Sequence, residues 1–245
     1  MTNGTKPVRV VAVTQSDPFF TARFFEAFLE ERSSDRLDLV EIVLLRNFNE
    51  SKPALVRRLF QLYGPVDFMR LLGRYVTAAV SDRVGRPRSV EAIAARYGVP
   101  VVRLSTINDA SYLRTLTARG VDVLLSVAAP EIFRRPALTA VPHVLNVHSG
   151  KLPLYRGMMP KMVERLDAGR LIAEFPVDVA VADSAFAVAE RAKMVAGREV
   201  ARLLAAIGTP HWPEPRPIPA TREQYHGFPT RRDARRLQAS GRRLL

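Results

Sequence analysis

Apolar residues fall into short continuous runs separated by stretches with helical spacing. Val8 to Thr14 is β-branched and almost wholly apolar, as expected of a strand covered on both faces. Leu37 to Leu45 alternates at first and then turns continuously apolar, predicting a second strand. Val99 to Leu104, Val121 to Val127 and Val141 to Val147 predict three more, and Arg170 to Val177 a further one. Between them the spacing is helical. Phe19 to Glu31 predicts a helix with Asp17 as N-cap and Pro18 as first helical residue. Ser51 to Val84 predicts a long helical stretch that Gly64-Pro65 divides in two. Such a helix pair could meet a partner's groove or a membrane surface; packing on the sheet is the expected outcome. Ser89 to Tyr97, closed by Gly98, and a helix from Asn108 or Asp109 to Arg119, closed by Gly120, come next. Asp183 to Ala206 predicts a late helix, and Pro229 to Leu245 a basic one.

Strands alternating with helices predict an α/β, Rossmann-like fold with a mostly parallel sheet and helices on both faces. In such a sheet a ligand lies outside the carboxyl ends of the strands. Ser126 to Phe133 and Asn146 to Gly157 both follow strands and fall there. The expected organisation is one α/β unit over 1–208, then a Pro-rich linker and basic helical tail over 209–245.

Composition narrows the partners. There is no cysteine, so disulfides and thiolate metal sites are absent, in keeping with a reducing compartment; the expected localisation is cytoplasmic. No apolar run approaches a membrane span, and no membrane partner is expected. The charge is +13, of which the eight Arg and three acids after Gly208 supply +5. Such a charge suits a nucleic acid, an anionic cofactor or a nucleotide-linked substrate, a solvated Arg-rich surface being the favoured reading, and no aromatic-interleaved basic motif of the nucleic-acid type is present. His211 and His226 have no partners at ligand spacing, so no metal is expected.

Asn146 and His148 carry the candidate chemistry. Two positions apart on a strand, their side chains leave by the same face. A Gly- and Pro-punctuated loop follows at once. An amide and an imidazole aimed into one crevice can stabilise an oxyanion and move protons. Gly150-Lys151 is not a phosphate-binding loop, because no upstream Gly stands at the required spacing.

Asn146-Val147-His148, the loop Leu152-Pro153-Leu154-Tyr155-Arg156-Gly157 and Leu166-Asp167-Ala168-Gly169 occur in that order. Together they resemble the hallmark of the folate-dependent formyltransferases, which include methionyl-tRNA, amino-sugar and glycinamide ribonucleotide enzymes. The resemblance covers about Val8 to Ile207 and is strongest in Val121 to Gly169. It implies transfer of a formyl group from 10-formyltetrahydrofolate to a primary amine, without a metal. It further implies that Asn146, His148 and Asp167 are catalytic. Ala128, Ala129, Pro130, Glu131, Ile132 and Phe133 would line the pterin pocket, and Ser149, Gly150, Tyr155 and Arg156 would meet the substrate. The chain departs from the family in one respect. His148 and Asp167 are only 19 positions apart, shorter by about one helix and one strand. The acid then lacks the strand that would orient it, and the neighbouring strand lacks a hydrogen-bond partner.

The expected acceptor is a small-molecule amine, an amino sugar carried on a nucleotide being the leading form. A methionyl-tRNA formyltransferase-like protein is the alternative. The 37 positions after Gly208 are too few for the β-barrel with which that branch holds tRNA, so a tRNA partner is disfavoured. A catalytically impaired folate-binding member and a homodimer both stay open.

Overall fold

The computed structural model describes residues 6–17, 19–32, 35–46, 51–148, 159–161 (backbone alone), 169–217 and 228–245. Five strands build the parallel core: β1 (Val8–Gln15), β2 (Leu37–Leu45), β3 (Val101–Leu104), β4 (Val123–Val127) and β5 (His143–Val147). Their order across the sheet is β3-β2-β1-β4-β5, every pair parallel. The sheet then continues through antiparallel β6 (Met159–Lys161), β7 (Arg170–Ala173) and β8 (Arg216–Pro217). The expected α/β, mostly parallel sheet is present.

Helices cover both faces. On one, α1 (Thr21–Glu31), α3 (Val90–Arg96) and α6 (Ala185–Ala205) bury Phe24, Phe28, Ile93 and Leu204 against Val10, Ile42 and Leu125. On the other, α4 (Ala110–Ala118) and α5 (Arg135–Leu138) close over Val11, Val43, Leu124 and Val144 through Leu116 and Ala137. Gly197 lets α1 and α6 meet closely: a Cβ there would lie 2.3 Å from the Phe24 carbonyl oxygen.

The change of pattern within β2 has a structural cause. Val10 pairs with Leu39 but Val11 with Glu41, so Val40 is an extra residue at a β-bulge. The slip turns Glu41 toward α4, where it is 4% exposed. Its carboxylate accepts from Tyr112 Oη at 2.5 Å and from Arg119 Nη1 at 2.8 Å, and so it is not buried unpaired. Burial and that carboxylate push the Tyr112 phenol far above its usual range.

Three expectations are corrected. The first helix starts at Thr21, with Phe20 as N-cap, rather than at the turn after Asp17. Asp17 instead accepts from the amides of Phe19 (2.8 Å) and Phe20 (3.3 Å); Pro18 lies outside the described residues. The strand expected to Val177 ends at Ala173. The long helix does not pack on the sheet. This helix, α2 (Lys52–Arg83), breaks at Gly64 (φ +74°, ψ 173°) before Pro65, as expected, but leaves Val66, Met69 and Val76 more than half exposed.

The chain beyond Gly208 returns to the body. Arg216–Pro217 adds to β7, and α7 (Arg231–Ala239) packs on α2 through Ala234 and Leu62. Arg231 Nη1 donates to the Leu62 carbonyl at 3.0 Å, satisfying an oxygen that the break at Gly64-Pro65 frees. The last residues pair with the start of α6, where Ala185 N donates to Arg243 O and Phe186 N to Leu244 O.

Candidate functional site

The carboxyl ends of β1, β4 and β5 lie side by side because these strands are parallel neighbours. Ser126 stands beside Asn146 and Val127 beside Val147. Val144 packs toward α4 and α5 whereas Leu145 and Val147 pack toward α1 and α6. By strand alternation Asn146 and His148 therefore share the α4–α5 side, at the open end of the sheet. Both are partly buried. The expectation that the amide and imidazole leave by one face agrees with this register.

The loop after β4 forms the adjoining wall. Ala128 has φ +52°, the left-handed region that a residue with a Cβ enters at a cost of about 1–2 kcal/mol. The strand ends at Val127; Ala129 then packs against the core beneath α4 and α5, and Pro130 is buried. Beyond them Ile132 is 56% exposed while Phe133 is buried in the core.

Glu131 has a different task from facing solvent. Its carboxylate accepts from Thr106 Oγ1, from Ile107 N at 2.8 Å and from Asn108 Nδ2 at 2.8 Å. Asn108 also donates to Ile132 O (3.0 Å) and accepts from Arg134 N (2.7 Å). The loop after β3 is thereby tied to the loop after β4, and the backbone over Ala128–Phe133 is held from behind. Thr106 and Asn108 were not legible as site-building residues. Their only sequence signal, a helix-capping type at 108, was taken up by Asp109, which caps α4 through Tyr112 N at 2.8 Å.

Across the sheet, Lys193 of α6 lies near Asp17 in the turn after β1; burial holds its ammonium below the usual lysine range, and Asp17 partly offsets this. Phe19, Phe20 and Phe186 cluster at the same end, with ring centroids 4.9 to 6.3 Å apart, and Arg74 stacks on Phe186 at 4.4 Å. None of this cluster was anticipated as part of a site.

Asp167, Ser149, Gly150, Tyr155 and Arg156 lie outside the described residues. What flanks Asp167 is described: β6 before it and β7 after it pair antiparallel, so both ends of that segment are anchored on the sheet. The strand beside the shortened segment keeps a partner, since β5 meets β6 at Leu145 and Lys161. Among the described residues no group of three or more His, Asp or Glu could hold a metal ion, and no helix is long and apolar enough to cross a membrane.

No protein-family model matches the chain. A methionyl-tRNA formyltransferase from Chloroflexus aggregans is 40% identical over 80 residues, which are 32% of this chain and 26% of that protein. The chain thus matches about a quarter of the length of such curated relatives. A sugar N-formyltransferase from a Shewanella species superposes with a TM-score of 0.52 at 14% identity, covering 94% of this chain and 79% of that one. A 4-N formyltransferase from Francisella tularensis gives a TM-score of 0.52 at 13% identity, covering 95% and 80%.

Proposed function

We propose that this chain, which resembles the folate-dependent formyltransferases in sequence and shares their fold, transfers a formyl group from 10-formyltetrahydrofolate to the primary amine of an amino sugar carried on a nucleotide. One observation carries the reading: Asn146 and His148 share one side at the carboxyl end of β5, next to the loop over Ala128–Phe133. The fold shared with a sugar N-formyltransferase over 94% of this chain is in keeping with that acceptor.

The residues fit the chemistry in a definite way. Attack by an amine on a formyl carbon places negative charge on the formyl oxygen. The Asn146 amide and a protonated His148 imidazole are donors for that oxygen, and each such donor is worth about 10²–10³ in rate. As the amine–carbon bond forms and the bond from carbon to the folate nitrogen breaks, the His148 imidazolium can give its proton to the departing folate nitrogen and, once neutral, take the proton that the attacking amine loses. Asp167 is assigned the part of raising the proton affinity of His148. The backbone of Ala128 to Pro130 and the side chain of Ile132 would hold the pterin, with Glu131 as the brace behind them and Phe133 anchoring the loop in the core. Ser149, Gly150, Tyr155 and Arg156 are assigned to the acceptor.

Incubating the protein with 10-formyltetrahydrofolate and a panel of nucleotide-linked amino sugars should release tetrahydrofolate with at least one of them. His148→Ala should lower kcat by about a hundredfold or more. Turnover that ignores His148 refutes the reading. Normal folate binding without turnover would identify a folate-binding member that has lost transfer. The curated relatives favour one second reading, a methionyl-tRNA acceptor. Tight tRNA binding that weakens steeply with salt would select it.

A further inference from the structure

Charge and exposed apolar surface both collect on α2 and on the α7 tail packed against it. Over 53–83 the chain has five Arg against two Asp, and over 228–245 six Arg against one Asp. These segments form α2 and the α7 tail, which pack together, and they hold +8 of the +13 in one fifth of the residues. Their acids are committed. Asp67 is paired with Arg70 at 2.9 Å, Asp82 accepts from the amides of Arg88 and Ser89, and Asp233 closes the capping box with Thr230. Arg57, Arg70, Arg232, Arg235 and Arg236 are exposed.

Along the same helix Val66 (65% exposed), Met69 (62%), Leu72 (43%), Val76 (53%) and Val80 (50%) form a line. Their spacing of three and four residues keeps them on one outward side, with exposed Gly73 and Ala79 between them and no acid among them. From Val66 to Val80 the line is roughly 21 Å long. It faces away from Leu71, which is buried, and from Arg74, which stacks on Phe186.

We propose that this face of α2, together with the arginines of α7, docks the protein on an anionic phospholipid surface. A helix that is apolar on one side and bordered by arginines lies in the plane of a bilayer interface, its aliphatic line among the acyl chains and its guanidinium groups among the phosphates. Charge complementarity selects this occupant. A second copy would bring two strongly positive faces together. A nucleic acid would satisfy the arginines but find valines and a methionine where stacking platforms are needed. The absence of a spanning helix among the described residues is compatible with a protein that rests on a bilayer.

The test is sedimentation of the full chain with vesicles of phosphatidylcholine alone, and with vesicles of roughly two parts phosphatidylcholine to one part phosphatidylglycerol. Binding is expected only to the anionic vesicles and should weaken as salt is raised. Arg232→Glu with Arg235→Glu should lower the partition coefficient by about fivefold or more for each arginine. Met69→Asp with Val76→Asp should abolish binding while circular dichroism matches the wild type. Because those residues are already exposed, unfolding is not expected, and the two lipid mixtures test the proposal on unaltered protein in any case. His148→Ala should bind vesicles as the wild type does, which separates this proposal from formyl transfer. Equal binding to both lipid mixtures or to neither overturns it. So does a dimer in analytical ultracentrifugation that Val76→Asp dissociates while vesicles are ignored, or retention of tRNA in preference to vesicles.

Discussion

Two glycines in helices should respond oppositely to alanine. At Gly197 a Cβ would stand 2.3 Å from Phe24 O, 3.0 Å from Ala27 Cβ and 3.0 Å from Phe28 N. Ordinary contact begins near 3.4 Å, so α1 and α6 must separate by roughly 1 Å, enough to lose a quarter to a half of the dispersion attraction across the gap. The pair buries Phe24, Phe28, Val200, Ala201 and Leu204, none more than 1% exposed, and has no slack to absorb that shift. Overpacking of this kind costs about 1–3 kcal/mol, and because the atoms met are backbone the upper end is expected. The helical preference of alanine returns about 0.5–1 kcal/mol, leaving a net loss of about 2 kcal/mol. At Gly73, where nothing lies within 4 Å of the added Cβ, only the preference acts, for a gain of about 0.5–1 kcal/mol. Urea unfolding followed by circular dichroism should show the midpoint falling for Gly197→Ala and rising for Gly73→Ala, with unchanged slopes. A Gly197→Ala protein as stable as the wild type would refute the close approach of the two helices.

Other side chains give independent tests. Asp183 accepts both ends of the Arg191 guanidinium at 2.7 and 2.8 Å and an amide from Ala180, which lowers its carboxyl from an ordinary 3.8 to about 2. Its contribution is therefore present above pH 3.8 and lost as pH falls toward about 2, so Asp183→Asn should remove that part of the acid limb in a pH–stability profile. Tyr112→Phe leaves a buried Glu41 oxygen short of a donor and should cost about 1–3 kcal/mol in thermal or urea unfolding. Glu131→Gln places an amide where Thr106, Ile107 and Asn108 all donate; titration with a folate analogue should show weaker binding, and unchanged affinity would release Glu131 from the bracing role.

The strands were legible because a parallel strand covered on both faces leaves a continuous apolar run, and β1 and β4 follow that rule closely. Helix ends were legible where Ser51, Ser89, Asp109 and Ser184 accept their capping amides, and where Gly98 and Gly120 adopt positive φ. The fate of α2 was not legible. An apolar line at helical spacing looks the same whether a sheet or solvent faces it, and only tertiary contacts decide. The bulge at Val40 was visible as a change of period but not as a cause. β6 and β8 contain Pro160 and Pro217 and are too short to produce a pattern. In the candidate site the shared side of Asn146 and His148 follows from strand alternation alone. The locking of Glu131 to Asn108 does not, because it joins residues 23 positions apart through side-chain bonds.

The most direct measurement is tetrahydrofolate release from 10-formyltetrahydrofolate in the presence of nucleotide-linked amino sugars, comparing wild type with His148→Ala and Asn146→Ala. Release that depends on the acceptor and falls by about a hundredfold or more in each variant is the predicted result. Release at equal rates in all three proteins, or none with any amine, would contradict formyl transfer at the end of β5.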